Sequence, residues 1–188
     1  MRKKLFCDFL SLPNVAVLEE VGIRHGSARI DFLVVNGLLH GFEVKSDLDT
    51  LRRLANQARN YNSALDRVTL IVGFRHADEA FRLIPEWWGV KLVAAGKRGG
   101  IHFHSARGPK NNPAVVPSAV VKFLWREEAL QVLSELGADK GMHSKTRQAI
   151  HSKLIQCANL DFVRAKTRHY LRFRKGLGFA GRQKSDDD

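Results

Sequence analysis

Five residues in this chain have the types and spacing for chemistry: Asp31, then Glu43 and Lys45 in the triplet Glu43-Val44-Lys45, then Gln57 and Tyr61 four residues apart. Side chains along a strand alternate faces, so Glu43 and Lys45 share one side of a strand whose other side carries Phe42 and Val44. By the same parity Asp31 opposes Ile30, Phe32 and Val34. On two adjacent antiparallel strands, the apolar face is expected to pack on a helix and the charged group to lie on the opposite face. Two carboxylates converging there repel each other unless a cation sits between them. A hard divalent ion meets that need, since Mg²⁺ takes oxygen ligands and is commonly held by one or two carboxylates plus a phosphate. Gln57 and Tyr61 would share one helix face, within reach of a metal-bound water or a phosphate.

The elements that must position this group read as mixed α/β. Residues 1–12 predict a helix, and residues 15–21 and 28–35 predict strands with a turn around His25-Gly26. Asn36-Gly37 is a strong hairpin signal and leads into a third strand over 38–45. A helix over about 50–65 follows, with Asp49 or Thr50 as the N-cap, then a β-branched and therefore buried strand over 68–74. A helix over 77–83 and short strands over 90–94 and 100–104 extend the unit.

Asp31, the Glu43-Val44-Lys45 triplet and the Gln57/Tyr61 helix together resemble the PD-(D/E)xK nuclease superfamily, whose branches include some with a Q-x-x-x-Y element. The segments HGSARIDFLVVNGLLHGFEVKSDLDTLRRL, DRVTLIVGFRH and PEWWGV are similar to a small bacterial branch of it, although Ile30 rather than proline precedes Asp31. The resemblance implies a restriction-endonuclease-like αβββαβ core with a mixed sheet, and a Mg²⁺- or Mn²⁺-dependent deoxyribonuclease leaving 5′-phosphates. It implies that Asp31, Glu43 and the Val44 carbonyl bind the metal and that Lys45 orients or deprotonates the attacking water. Gln57 and Tyr61 would assist, and Glu19 or Glu20 would supply a further acid. The other readings are a DNA-binding module without turnover and an RNase.

Charge is the second signal. The chain has 31 lysines and arginines against 19 acids, a formal charge of +12, which favours a polyanionic partner, with DNA ahead of a membrane surface. No apolar run approaches the roughly 20 residues of a membrane span, and Cys7 and Cys157 are in no metal-ligand spacing. A cytoplasmic setting fits both features. The stretch RGPKNNPAVVPS, with Pro109, Pro113 and Pro117, breaks regular structure, and we place a linker at 108–118 between a nuclease-like domain (1–107) and a basic helical region (119–188). Residues 144–184 hold 11 basic side chains and the single acid Asp161. Lys145, Arg147 and Lys153 fall on one expected helix. Arg164, Arg168 and Arg172 recur every four residues on the next, a stripe suited to phosphates, while the closing Asp186-Asp187-Asp188 reads as a tail. His102 and His104 share a strand face without a third metal ligand nearby, and Trp87-Trp88 reads as a packing anchor rather than a base-stacking surface. A homodimer would be expected if both strands of a duplex were cut.

Overall fold

The computed structural model describes residues 5–7, 9, 11–23, 26, 28–96 and 100–174. Part of the expected first helix, His25 of the expected turn and the closing aspartates lie outside them. Residues 5–7 and 9 are helical, and Gly26 holds a φ of 85°, the left-handed conformation that glycine adopts without steric cost.

The architecture is mixed α/β. Strands β1 (Ala16–Ile23), β2 (Ala28–Val35) and β3 (Leu39–Lys45) form an antiparallel meander, and helix α1 (Leu54–Ala64) crosses over to β4 (Arg67–Gly73), which pairs parallel to β3. After helix α2 (Ala77–Leu83), β5 (Gly89–Ala95) adds parallel to β4 and β6 (Ile101–Arg107) closes the edge antiparallel. The described strands thus form one six-stranded sheet in the order β1-β2-β3-β4-β5-β6. Helices α3 (Pro117–Val120), α4 (Arg126–Glu135), α5 (Arg147–Cys157) and α6 (Leu160–Phe173) follow. Asp49 does not cap α1; its Oδ2 accepts from Ser46 N and Oγ at 2.7 Å, so the carboxylate is taken by the preceding turn and α1 starts at Leu54. Thr146 and Asn159 cap α5 and α6 through their side chains.

The sheet has an apolar core on each face. A small one joins Phe6, Val17, Val34, Phe42 and Ile71, with the Phe6 and Phe42 rings 5.1 Å apart edge to face. The larger one lies on the α1 side and runs continuously from Leu18, Leu33 and Tyr61 to Val132, Ile150, Val163 and Leu171. Strict parity fails inside β1 and β2. Leu18 and Val21 both enter the α1-side core although they are three apart, as do Leu33 and Ile30, whereas Phe32 and Val34 pack on the other side. The ladder pairs Glu19 with Phe32 and Val21 with Ile30, and Glu20 between them has a φ of 53°. A left-handed residue turns the strand about its axis, so Ile30 does not share a face with Phe32 as alternation predicts.

The proline- and asparagine-rich segment is bonded along the α1–β4 connection. Asn112 is buried; its Nδ2 donates to Asn62 O and Leu65 O at 2.7 Å and its N donates to Asp66 O at 2.9 Å. Asp66 in turn accepts Leu39 N at 2.8 Å and pairs with Arg164 at 2.9 Å, so one buried carboxylate joins β3, β4 and α6.

Close approach of α1's end to β3 depends on Gly41. A Cβ there would lie 2.6 Å from Leu65 Cδ1 and 3.2 Å from Ile30 Cγ1. Gly41→Ala should therefore destabilise the fold by about 1–3 kcal/mol, the usual cost of overpacking. Denaturant unfolding checks this, and an unchanged midpoint would show that the contact yields freely.

Candidate functional site

A buried acid organises the site. Glu43 stands at 1% exposure in the middle of β3, where an unpaired carboxylate would be strongly unfavourable. Its Oε1 accepts from Lys45 Nζ at 2.7 Å and from Gln57 Nε2 at 2.6 Å, and its Oε2 accepts from Tyr61 OH at 2.7 Å. Lys45 is itself only 6% exposed, so the pair is an ion pair withdrawn from water. Gln57 and Tyr61 come from one face of α1, as their spacing requires, and Gln57 Nε2 also lies 3.3 Å from Tyr61 OH. The phenol oxygen is 2.7 Å from Arg29 O as well. Burial and then the charge of Glu43 push the Tyr61 phenol far above its ordinary pKa, which keeps it a donor.

The sequence thus brings all five residues together, on the sheet face opposite Phe42 and Val44, as alternation predicts, and beneath α1. Phe42 and Val44 face the small core under Phe6, and Glu43 and Lys45 lie beneath α1. Asp31 reaches the group from the distorted part of β2, its Oδ2 accepting Val44 N at 2.7 Å. Val44 therefore meets Asp31 through its amide. Burial and then the nearby Glu43 raise Asp31 to about 6, against the lowering influence of the Val44 N–H and Lys45.

A cleft of about 360 Å³ opens over this network, lined by Asp31, Lys45 and Gln57 together with Arg29, Arg53 and Asn56. Arg53 was legible in principle, since it precedes Gln57 by four residues on the same helix face. Glu20 also lines the cleft and pairs with Arg29 at 2.8 Å, both side chains well exposed, whereas Glu19 sits in the ladder opposite Phe32. As placed, the donors fit an internal ion pair rather than a bound Mg²⁺ or Mn²⁺. Both oxygens of Glu43 are already bonded, a metal would have to displace the Lys45 ammonium, and among the described residues no three or more His, Cys, Asp or Glu are placed to hold a metal ion.

The cationic residues of the second half divide by partner. Arg164 is held by Asp66 and, at 3.5 Å, by Asp161. Arg147 donates to the carbonyls of Lys122 and Leu124, and Arg172 to that of Asn14 at 3.4 Å, so these guanidiniums are anchored without being neutralised. Lys145 is exposed, while Lys153 and Arg168 are half-buried. The Arg164–Arg168–Arg172 stripe borders the buried line Val163, Thr167 and Leu171, along the seam between α6 and the rest of the fold. Trp88 is a packing anchor: it is fully buried, donates its indole N–H to Asn62 Oδ1 at 2.9 Å and stacks on Tyr61 at 6.0 Å.

Comparison with known proteins tests the family reading. The family model described as Bacteriophage P4 protein cII matches residues 4–182. The chain belongs to the bacteriophage P4 protein cII family. Protein cII of Enterobacteria phage P4 is 23% identical over 154 residues, covering 81% of this chain, which spans 58% of the length of that relative. No solved structure matches. Membership of the cII family overturns the PD-(D/E)xK resemblance, and with it the assignment as a Mg²⁺-dependent deoxyribonuclease or other hydrolase. The motif misled for a physical reason. An acid buried in a strand needs a cation and neutral donors, and Lys45, Gln57 and Tyr61 supply them at the same spacings that a nuclease motif would use.

The raised Asp31 makes a signed prediction. Its ordinary value is 3.8 and its folded value about 6, so the folded chain holds this proton to higher pH than the unfolded chain does. Below pH 3.8 both states are protonated and Asp31 costs nothing; stability then falls as pH rises through 6, and the penalty is complete above it. Asp31→Asn should remove this component, so the variant gains stability relative to the parent between pH 4.5 and 7.5 in urea unfolding. A difference between the two proteins that stays constant across that range would contradict the assignment.

Proposed function

We propose that this protein binds nucleic acid, DNA in the first place, through phosphate contacts and without hydrolysing it. One observation carries the reading: the excess of positive charge on α5, α6 and the residues that flank them. From residue 144 to 174 there are eight lysines and arginines and one acid, Asp161. Asp66, Glu128 and Glu135 from elsewhere in the fold pair with Arg164, Arg174 and Lys166. Lys145, Lys153 and Arg168, together with the carbonyl-anchored Arg147 and Arg172, keep their charge for an outside partner. Anchoring a guanidinium on a carbonyl lowers the entropy that a phosphate contact must overcome. Arg29 and Arg53 at the cleft would extend such a surface towards the sheet.

In this reading the β-β-β-α-β order is a scaffold. The Glu43 network holds strands and helix together beneath the cleft that Arg29 and Arg53 border. Among the described residues no helix is long and apolar enough to cross a membrane.

Phosphate binding makes affinity fall steeply with salt, because each neutralised phosphate releases condensed counterion. Fluorescence anisotropy with a short labelled duplex should show affinity falling at least tenfold between about 50 and 200 mM salt. Lys145→Ala, Lys153→Ala and Arg168→Ala should each flatten the slope of log affinity against log salt by about 1. No retention at the lowest salt, or an affinity that salt does not move, would overturn the reading.

A further inference from the structure

A second pocket lies on the sheet face turned away from α1, with the sheet between it and the Glu43 network. It measures about 280 Å³, near the lower end for small-ligand sites, which begin at roughly 300 Å³. His40 and Phe42 of β3 belong to it, their rings stacked 4.3 Å apart and Phe42 buried. Phe9, Leu38 and Pro109 supply half-buried apolar surface around them. Pro109 can approach only because residue 89 is glycine, where a Cβ would lie 2.9 Å from Pro109 Cδ and 2.8 Å from Thr69 Oγ1.

The polar lining is one-sided. Arg67 and Lys91, on β4 and β5, both line the pocket, and no acid does. Arg67 is steadied by its Nε donating to Asn111 Oδ1 at 2.8 Å. His40 Nε2 is 2.9 Å from Thr69 Oγ1, and burial, reinforced by the charges of Arg67 and Lys91, lowers the imidazole to about 3 and leaves it neutral at pH 7. Two cations beside a neutral ring stack and an apolar wall match a ligand with one charged end and one flat end.

We propose that this pocket binds a small aromatic phosphate, a flat ring of nucleobase kind carrying a single phosphate, with Arg67 and Lys91 on the phosphate and Phe9, Leu38 and Pro109 enclosing the ring. That chemistry has two sources, a free mononucleotide or the phosphorylated end of a strand. The site does not depend on the duplex-binding surface proposed for α5 and α6.

The test is titration of the full chain, followed by amide chemical shifts and calorimetry, with uridine monophosphate, uridine and inorganic phosphate. Uridine monophosphate should bind at least tenfold more tightly than either part, with shifts centred on Thr69 and Lys91. Lys91→Gln should weaken it at least tenfold, and Leu38→Trp, which fills the pocket, should do the same, with melting curves confirming that each variant folds. A 5′-phosphorylated oligothymidine that binds more tightly than the monophosphate identifies the strand end as the source, and equal or weaker binding identifies the free nucleotide. The proposal is overturned if uridine monophosphate binds no better than phosphate, if neither folded variant weakens it, or if the shifts fall on α5 and α6.

Discussion

A carboxylate buried in the middle of a sheet must be answered on both oxygens, and the centre of this fold is built to answer the one on Glu43. Lys45 brings the counter-charge from two residues along the same strand, and Gln57 and Tyr61 bring neutral donors from α1. Removing any of them would leave a desolvated charge short of a partner, which is far more costly than the pair is favourable. The network therefore acts as a gauge of position: α1 can lie on β3 in one register only, with Gly41 allowing Leu65 to come close. Asp31, bonded to the Val44 amide, carries the constraint into β2.

A second buried acid repeats the device at the other end of α1. Asp66 ties β3 through Leu39 N and α6 through Arg164, and Asn112 of the proline-rich stretch closes over the same connection. Part of the chain's positive charge is thus consumed in holding helices to the sheet. Others, among them Arg147 on α5 and Arg172 on α6, are held by backbone carbonyls alone.

Much of the architecture was legible in the sequence. Asn36-Gly37 marks the hairpin, the β-branched run marks β4, and the four-residue spacing of Gln57 and Tyr61 puts both on the face that meets Glu43. What parity could not supply was the exchange of faces in β1 and β2, because nothing local at Glu20 announces a left-handed residue. Composition showed a basic stripe at Arg164, Arg168 and Arg172 without showing that Asp66 and the Asn14 carbonyl would claim two of its members, since both partners are distant in sequence. The chemical reading of Asp31, Glu43 and Lys45 failed for a more general reason. Catalysis and the satisfaction of a buried charge ask for the same residue types at the same spacing, and the sequence does not show that both oxygens of Glu43 are already bonded; family membership then removed the nuclease assignment.

Glu43 and Lys45 are partners in one buried network. A double-mutant cycle in denaturant unfolding, with Glu43→Gln, Lys45→Met and both together, measures their coupling directly. The expected coupling is about 2 kcal/mol or more, with the double variant more stable than Lys45→Met alone, because removing the acid removes the charge that was left unanswered. Losses that simply add would contradict it.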